Sequence, residues 1–161
     1  MRKILETVGF AALAFLAWIT LRAFYGPNRI AGRIPTHFDF AGHPDAWGSP
    51  LTLLLLPGLA AGIYLLISLL ARNATEFNFP VRVTPQNRAR LEVLALDLIA
   101  WLKLELAWTF AAIQWFTIRV AAHQRQRFPS TLIPLTLAAI FVTVGLFIAA
   151  MFMAARTATE S

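Results

Sequence analysis

Residues 34–50, Ile-Pro-Thr-His-Phe-Asp-Phe-Ala-Gly-His-Pro-Asp-Ala-Trp-Gly-Ser-Pro, place two His-x-Asp triplets on either side of Ala41-Gly42. His37 with Asp39 and His43 with Asp45 take up two of the chain's three histidines. Imidazole and carboxylate suit zinc or manganese. In an extended strand residues 37 and 39 point the same way, as do 43 and 45, and a turn at Ala41-Gly42 would fold the pairs together. The spacing is not that of a helix-borne zinc site, where two His at i and i+4 share a face. A structural reading needs no metal. Asp-Phe-Ala-Gly and Gly-His-Pro-Asp are turn-rich, because Gly permits φ > 0 and Asp bonds back to its own main chain. Asp45 then caps a turn and Trp47 sits at head-group level as an anchor. The turn reading is the preferred one, no cofactor is expected, and any metal site falls to His37, Asp39, His43 and Asp45.

A second set of reactive groups lies in an apolar setting. Asp97, Lys103 and Glu105 interrupt a run of Leu, Ala and Trp, with Gln114 and Thr117 further along. A charge at membrane depth costs at least about 2.5 kcal/mol, so such residues are default functional candidates. At about 100° per residue Asp97 and Glu105 lie roughly 80° apart on a helix, and Lys103 is nearly opposite Glu105. Lys103 must therefore find a partner on a neighbouring helix, snorkel, or line a wet cavity. Three readings compete: a shallow interfacial start to the helix, a polar seam that joins the bundle, or an ion path or polar-ligand pocket. Trp101, Trp108 and Trp115 recur every seven residues and read as a packing or lipid-facing stripe.

The elements that position these groups are membrane helices. The 161 residues are 58% hydrophobic and 14% charged, against about 25% charged in an ordinary soluble domain. Residues 7–21, 51–71 and 128–155 carry no charge. At 1.5 Å per residue the second of these reaches about 31 Å, enough to cross a bilayer. The expectation is an all-α, four-transmembrane-helix bundle forming one integral membrane domain over 1–161. Its helices are placed at about 4–25, 51–71, 91–118 and 130–155, with an ordered loop between helices one and two. The first apolar run is too long for a signal-peptide core and is read as a retained helix. Pro57 is expected to kink the second helix, and Gly58-x-x-x-Gly62 allows a close backbone approach.

The net charge of +6 is carried between apolar blocks, where it meets head groups rather than nucleic acid. The absence of cysteine excludes disulfides and thiolate chemistry. With a cytoplasmic N-terminus, seven basic residues lie inside and six outside, so the Arg2-Lys3 start decides the orientation and puts the His-x-Asp loop outside. The Asn73-Ala74-Thr75 sequon would then be idle, and 119–127 is a basic head-group face.

The stretch Ile34, Pro35, His37, Phe38, Asp39, Gly42, Pro44, Asp45, Trp47, Gly48 and Ser49 resembles the signature of domain-of-unknown-function family 1648. That family includes the N-terminal part of SdpI-like immunity proteins, which protect a bacterium from its own sporulation-delaying toxin. Asn78 and Pro80 are similar to its Asn-x-Pro segment, and the likeness covers roughly 10–118. SdpI-like proteins continue into further helices, and His43 is outside the pattern, which shifts weight to His37, Asp39 and Asp45. The resemblance implies binding or protection rather than catalysis.

The expected object is a multi-pass bacterial inner-membrane protein with a cytoplasmic N-terminus. Its partners are the bilayer, an envelope peptide or membrane protein, and a second copy of itself. His37, Asp39, Gly42, Asp45 and Trp47 form the binding loop, and Asp97, Lys103, Glu105 and Gln114 the intramembrane polar set. The alternatives are a metal-assisted membrane hydrolase with Glu105 as base, or a small ion or proton carrier.

Overall fold

The computed structural model describes residues 1–27, 29–72, 77–123 and 126–157. Helix α1 spans Arg2–Tyr25 and is followed by a two-stranded antiparallel hairpin, β1 (Ile34–Phe38) and β2 (Pro44–Gly48). A 3-10 turn at Pro50–Leu54 leads into α2 (Leu55–Leu70), and α3 (Arg88–Ala121) and α4 (Leu132–Thr157) complete the chain. The sequon at 73–75 lies outside the described residues.

Three segments are long and apolar enough to cross a membrane: Arg2–Tyr25, Pro50–Leu70 and Leu132–Arg156. Helix α3 is the centre of the molecule and packs on each of the other three helices. Ala100, Ala107, Gln114 and Ala121 are buried at seven-residue intervals. This heptad stripe turns one narrow face of α3 toward α1 and α2. Small residues dominate the seam: Ala12 with Ala107, and Ala60 with Ala111. Without a hydrophobic drive between helices in lipid, such residues let backbones approach and gain dispersion contacts. The tryptophans sit one position further round. Trp108 and Trp115 both pack against Phe15 of α1, at 6.2 and 5.8 Å between ring centroids.

The helices are out of step along the bundle. Lys103 meets Glu6, so roughly 22 Å of α3 precedes this contact against roughly 6 Å of α1 beyond it. The first turns of α3, with Glu92 and Asp97, therefore overhang α1. They are covered by α4 and by Phe77, Phe79 and Val81, which close over Leu91, Ala95, Met151 and Ala154. That overhang takes Glu92 and Asp97 past the end of α1.

Two expectations are corrected. Pro57 does not kink a continuous helix: the α-helical geometry starts at Leu55, so the proline stands in the first turn, where its missing N–H is least felt. In an α-helix a residue 57 N–H would bond the Leu53 carbonyl, and here the Gln114 amide donates to that oxygen at 2.8 Å. Gln114 also donates to Thr20 Oγ1 at 2.9 Å and is fully buried. Gln114→Leu is expected to cost about 1–3 kcal/mol by leaving the carbonyl unpaired, read as a lowered Tm in detergent. Gly58 and Gly62 face open space, so neither brings two backbones of this chain together. The close approach occurs instead at Gly9, where a Cβ would stand 2.7 Å from the Tyr64 hydroxyl.

Candidate functional site

The hairpin forms because its two ends and its turn are each fixed by a different device. At its base Ile34 is buried with Ala23, Leu53 and Ala121, which joins β1 to the ends of α1 and α3 and to the 3-10 turn. Arg33 Nη2 donates to the Trp47 carbonyl at 2.5 Å, and Ser49 caps the 3-10 turn through the Leu51 N–H. At the turn, Asp39 N–H donates to the His43 carbonyl and Gly42 N–H to the Asp39 carbonyl, both at 2.9 Å. Asp39 Oδ1 accepts the His43 N–H at 2.8 Å.

Glycine is required at position 42. Its φ is +82°, and an added Cβ would fall 2.0 Å from the Phe128 carbonyl oxygen. In return the Phe128 N–H donates to the Gly42 carbonyl at 2.8 Å. The Phe128 ring stacks against Phe38 at 4.9 Å and meets Phe116 of α3 edge-on at 6.0 Å. The hairpin is thus clamped to the α3–α4 connector as an organised cap on the bundle end.

The two His-Asp sets pair across the hairpin, not along the strands. His37 Nδ1 lies 2.6 Å from Asp45 Oδ1, and His43 Nδ1 lies 3.3 Å from Asp39 Oδ2. The sequence-based grouping of 37 with 39 and 43 with 45 is replaced by this crossed arrangement, because the antiparallel register that pairs Ile34 with Gly48 and Phe38 with Pro44 brings 37 near 45 and 39 near 43, with local irregularities on either side of His37. All four side chains are between 42 and 69% exposed, and they form two pairs instead of one cluster. Among the described residues no three His, Asp or Glu side chains converge as ligands of one ion. Beyond the pairs, Phe40 at the tip is fully exposed and Trp47 is 38% exposed. An uncovered phenylalanine beside two half-exposed charge pairs is a surface with both apolar and polar contacts on offer. Phe40 had no sequence signal apart from standing at the predicted turn.

The His43 backbone N–H holds the Asp39 carboxyl below the usual carboxylate range, with the His43 side chain adding to it. A depressed folded-state pKa contributes stability above the ordinary value and loses it as pH falls through the folded one. The turn should therefore keep its order at pH 4 and loosen in stronger acid. Exchange of the Gly42 and His43 amide protons across that range reads this directly.

The intramembrane set divides between two faces of α3. Lys103 is only 4% exposed; its Nζ donates to Glu6 Oε1 at 2.6 Å and Ser68 Oγ at 3.0 Å, and lies 4.5 Å from the Tyr64 ring centroid. The Tyr64 hydroxyl donates to Glu6 Oε2 at 2.7 Å, so one carboxylate ties α1, α2 and α3 together. Glu6 is a site residue that the charge pattern concealed, because it reads as the polar edge of the first apolar block. A search for an opposite charge one or two turns inside a helix end would have found it. On the opposite face Glu105 Oε1 accepts from Thr143 of α4 at 2.6 Å, and Oε2 is buried with no partner among the described residues. Asp97 is half-buried on the overhanging part of α3 and joins neither group.

Comparison with curated proteins and with solved structures finds no match. The family comparison does: residues 10–61 match the model described as domain of unknown function (DUF1648). The Asn78 and Pro80 segment falls outside the matched residues. From the middle of α1, through the crossed hairpin and into α2, this chain is similar to that family's model.

Proposed function

We propose that this is a recognition protein of the bacterial inner membrane, with four helices crossing the bilayer, a cytoplasmic N-terminus and the hairpin outside. The hairpin captures an envelope peptide or a membrane protein, as an SdpI-like immunity factor would. The observation that carries this reading is the tip itself, where exposed Phe40 stands beyond two paired and exposed His-Asp contacts on a turn that is clamped to the bundle. A pre-ordered loop gives up little conformational entropy on binding, and its anchors are already in place. Asp97, on the overhang of α3, is interfacial, and the Lys103–Glu6 pair joins the helices.

The test is substitution of His37 and Asp45 together with alanine, and separately Phe40→Ala, in protein that still reaches the membrane at normal levels. Partner capture by cross-linking in cells and tolerance of an added toxin peptide should both fall at least about tenfold, as for loss of a central anchor. Unchanged capture together with unchanged tolerance sinks the proposal.

A second reading, a small ion or proton carrier, draws on Glu105. Glu105, one of whose oxygens is buried without a partner among the described residues, lines a cleft of about 410 Å³ between α3 and α4. Flux in liposomes that Glu105→Gln abolishes would favour it over recognition.

A further inference from the structure

At the hairpin end of the bundle, the last turns of α1 and α3 enclose a cavity of about 180 Å³. Two arginines and two tryptophans define it. The Arg22 guanidinium lies over the Trp18 ring at 5.1 Å, and the Arg119 guanidinium over the Trp115 ring at 5.4 Å. No acidic residue lines the cavity, and among the described residues neither arginine is ion-paired. Arg119 Nε is buried with no hydrogen-bond acceptor among those residues.

Placement at two helix C-termini explains part of this, since cations there meet the negative ends of the helix dipoles. It does not explain a cavity between the two cations or a buried donor left without an acceptor. A buried N–H that finds no acceptor costs free energy, and a group supplied from outside the chain removes that cost. A guanidinium held over a tryptophan ring gains cation–π attraction without using up its N–H donors on a carboxylate. Planar N–H forks match the oxygens of phosphate. The volume is well under the roughly 300–1,000 Å³ of sites that enclose drug-sized ligands, so a small anionic head is what fits.

We propose that Arg22 and Arg119 form a phosphate-binding site at the membrane surface, distinct from the hairpin recognition surface. Its ligand is the phosphate of an anionic phospholipid head group or a free phosphate anion.

Native mass spectrometry of the full chain in a neutral detergent tests this. The titrants are short-chain phosphatidylglycerol, phosphatidylcholine of the same chain length, and inorganic phosphate. One phosphatidylglycerol should bind in preference to phosphatidylcholine. Arg22→Gln and Arg119→Gln should each weaken it at least about tenfold, the loss expected for a charged hydrogen bond. Arg90→Gln, an exposed arginine on the α3 overhang, serves as the control and should leave binding unchanged. Displacement by inorganic phosphate makes the anion alone sufficient, whereas failure to displace assigns the site to the lipid. The proposal is overturned if the wild type shows no preference, if both site variants match it, or if Arg90→Gln loses as much. The His37 and Asp45 double alanine variant must keep the site, so this result is separable from failure of the recognition reading. Should Arg119→Gln misfold, Arg22→Gln decides alone, because that side chain is exposed.

Discussion

Glu6→Ala should destabilise the folded bundle by about 3–5 kcal/mol, the cost of leaving a buried charge without its partner. Lys103 has 4% of its side chain exposed and donates its shortest hydrogen bond, 2.6 Å, to Glu6. Removing the carboxylate leaves Nζ with only Ser68 and the Tyr64 ring. Tyr64 also loses the acceptor of its hydroxyl. Because the Glu6 side chain is 31% exposed, water can reach part of the vacated site, and the lower end of that range is expected. Replacing both members, Glu6→Gln with Lys103→Met, should restore much of the loss, since an apolar or neutral pair carries no desolvation cost. Reversible unfolding in a bilayer mimic measures both variants. A near-zero effect of Glu6→Ala would show that the pair is a surface contact.

Gly42→Ala should release the hairpin from the bundle. The left-handed conformation alone costs a residue with a side chain about 1–2 kcal/mol. At +82° with a Cβ 2.0 Å from the Phe128 oxygen, alanine cannot be seated without moving one backbone away from the other. The hydrogen bond from Phe128 to Gly42 and the Phe38–Phe128 stack are lost with it. Helicity should be unchanged while amide protection in 34–48 collapses, which hydrogen exchange resolves. Partner capture should fall as far as it does in the His37 and Asp45 double variant.

Much of this organisation could be read from the residues because lipid imposes simple rules. Charge-free runs of fifteen to twenty-eight residues have few fates, and helices α1, α2 and α4 stand on them. The wheel position of Lys103 already ruled out Glu105 as its partner and left a neighbouring helix, snorkelling or a wet cavity; the structure supplies Glu6 of α1. Turn chemistry at Ala41-Gly42 foretold the hairpin. Other features depend on contacts between distant segments and left no local trace. The crossed His-Asp pairing follows from the strand register, which the pairs at the two ends of the hairpin fix. Phe128 belongs to the connector before α4, and nothing near it in sequence signals that it holds Gly42. The Gln114 amide on the Leu53 carbonyl required knowing that α3 passes beside the start of α2. At Gly58 and Gly62 the spacing left open a helix contact or none, and among the described residues their open face meets nothing.

The central claim is that the His-Asp hairpin is a rigid cap on membrane helices. The chain has no cysteine, so spin labels can be attached at two introduced cysteines alone, replacing exposed Phe40 and exposed Arg127. Electron-electron distance measurement in lipid nanodiscs should give one narrow distribution. It should broaden sharply in Gly42→Ala. A broad distribution in the otherwise unaltered chain would mean that the hairpin does not rest on the bundle.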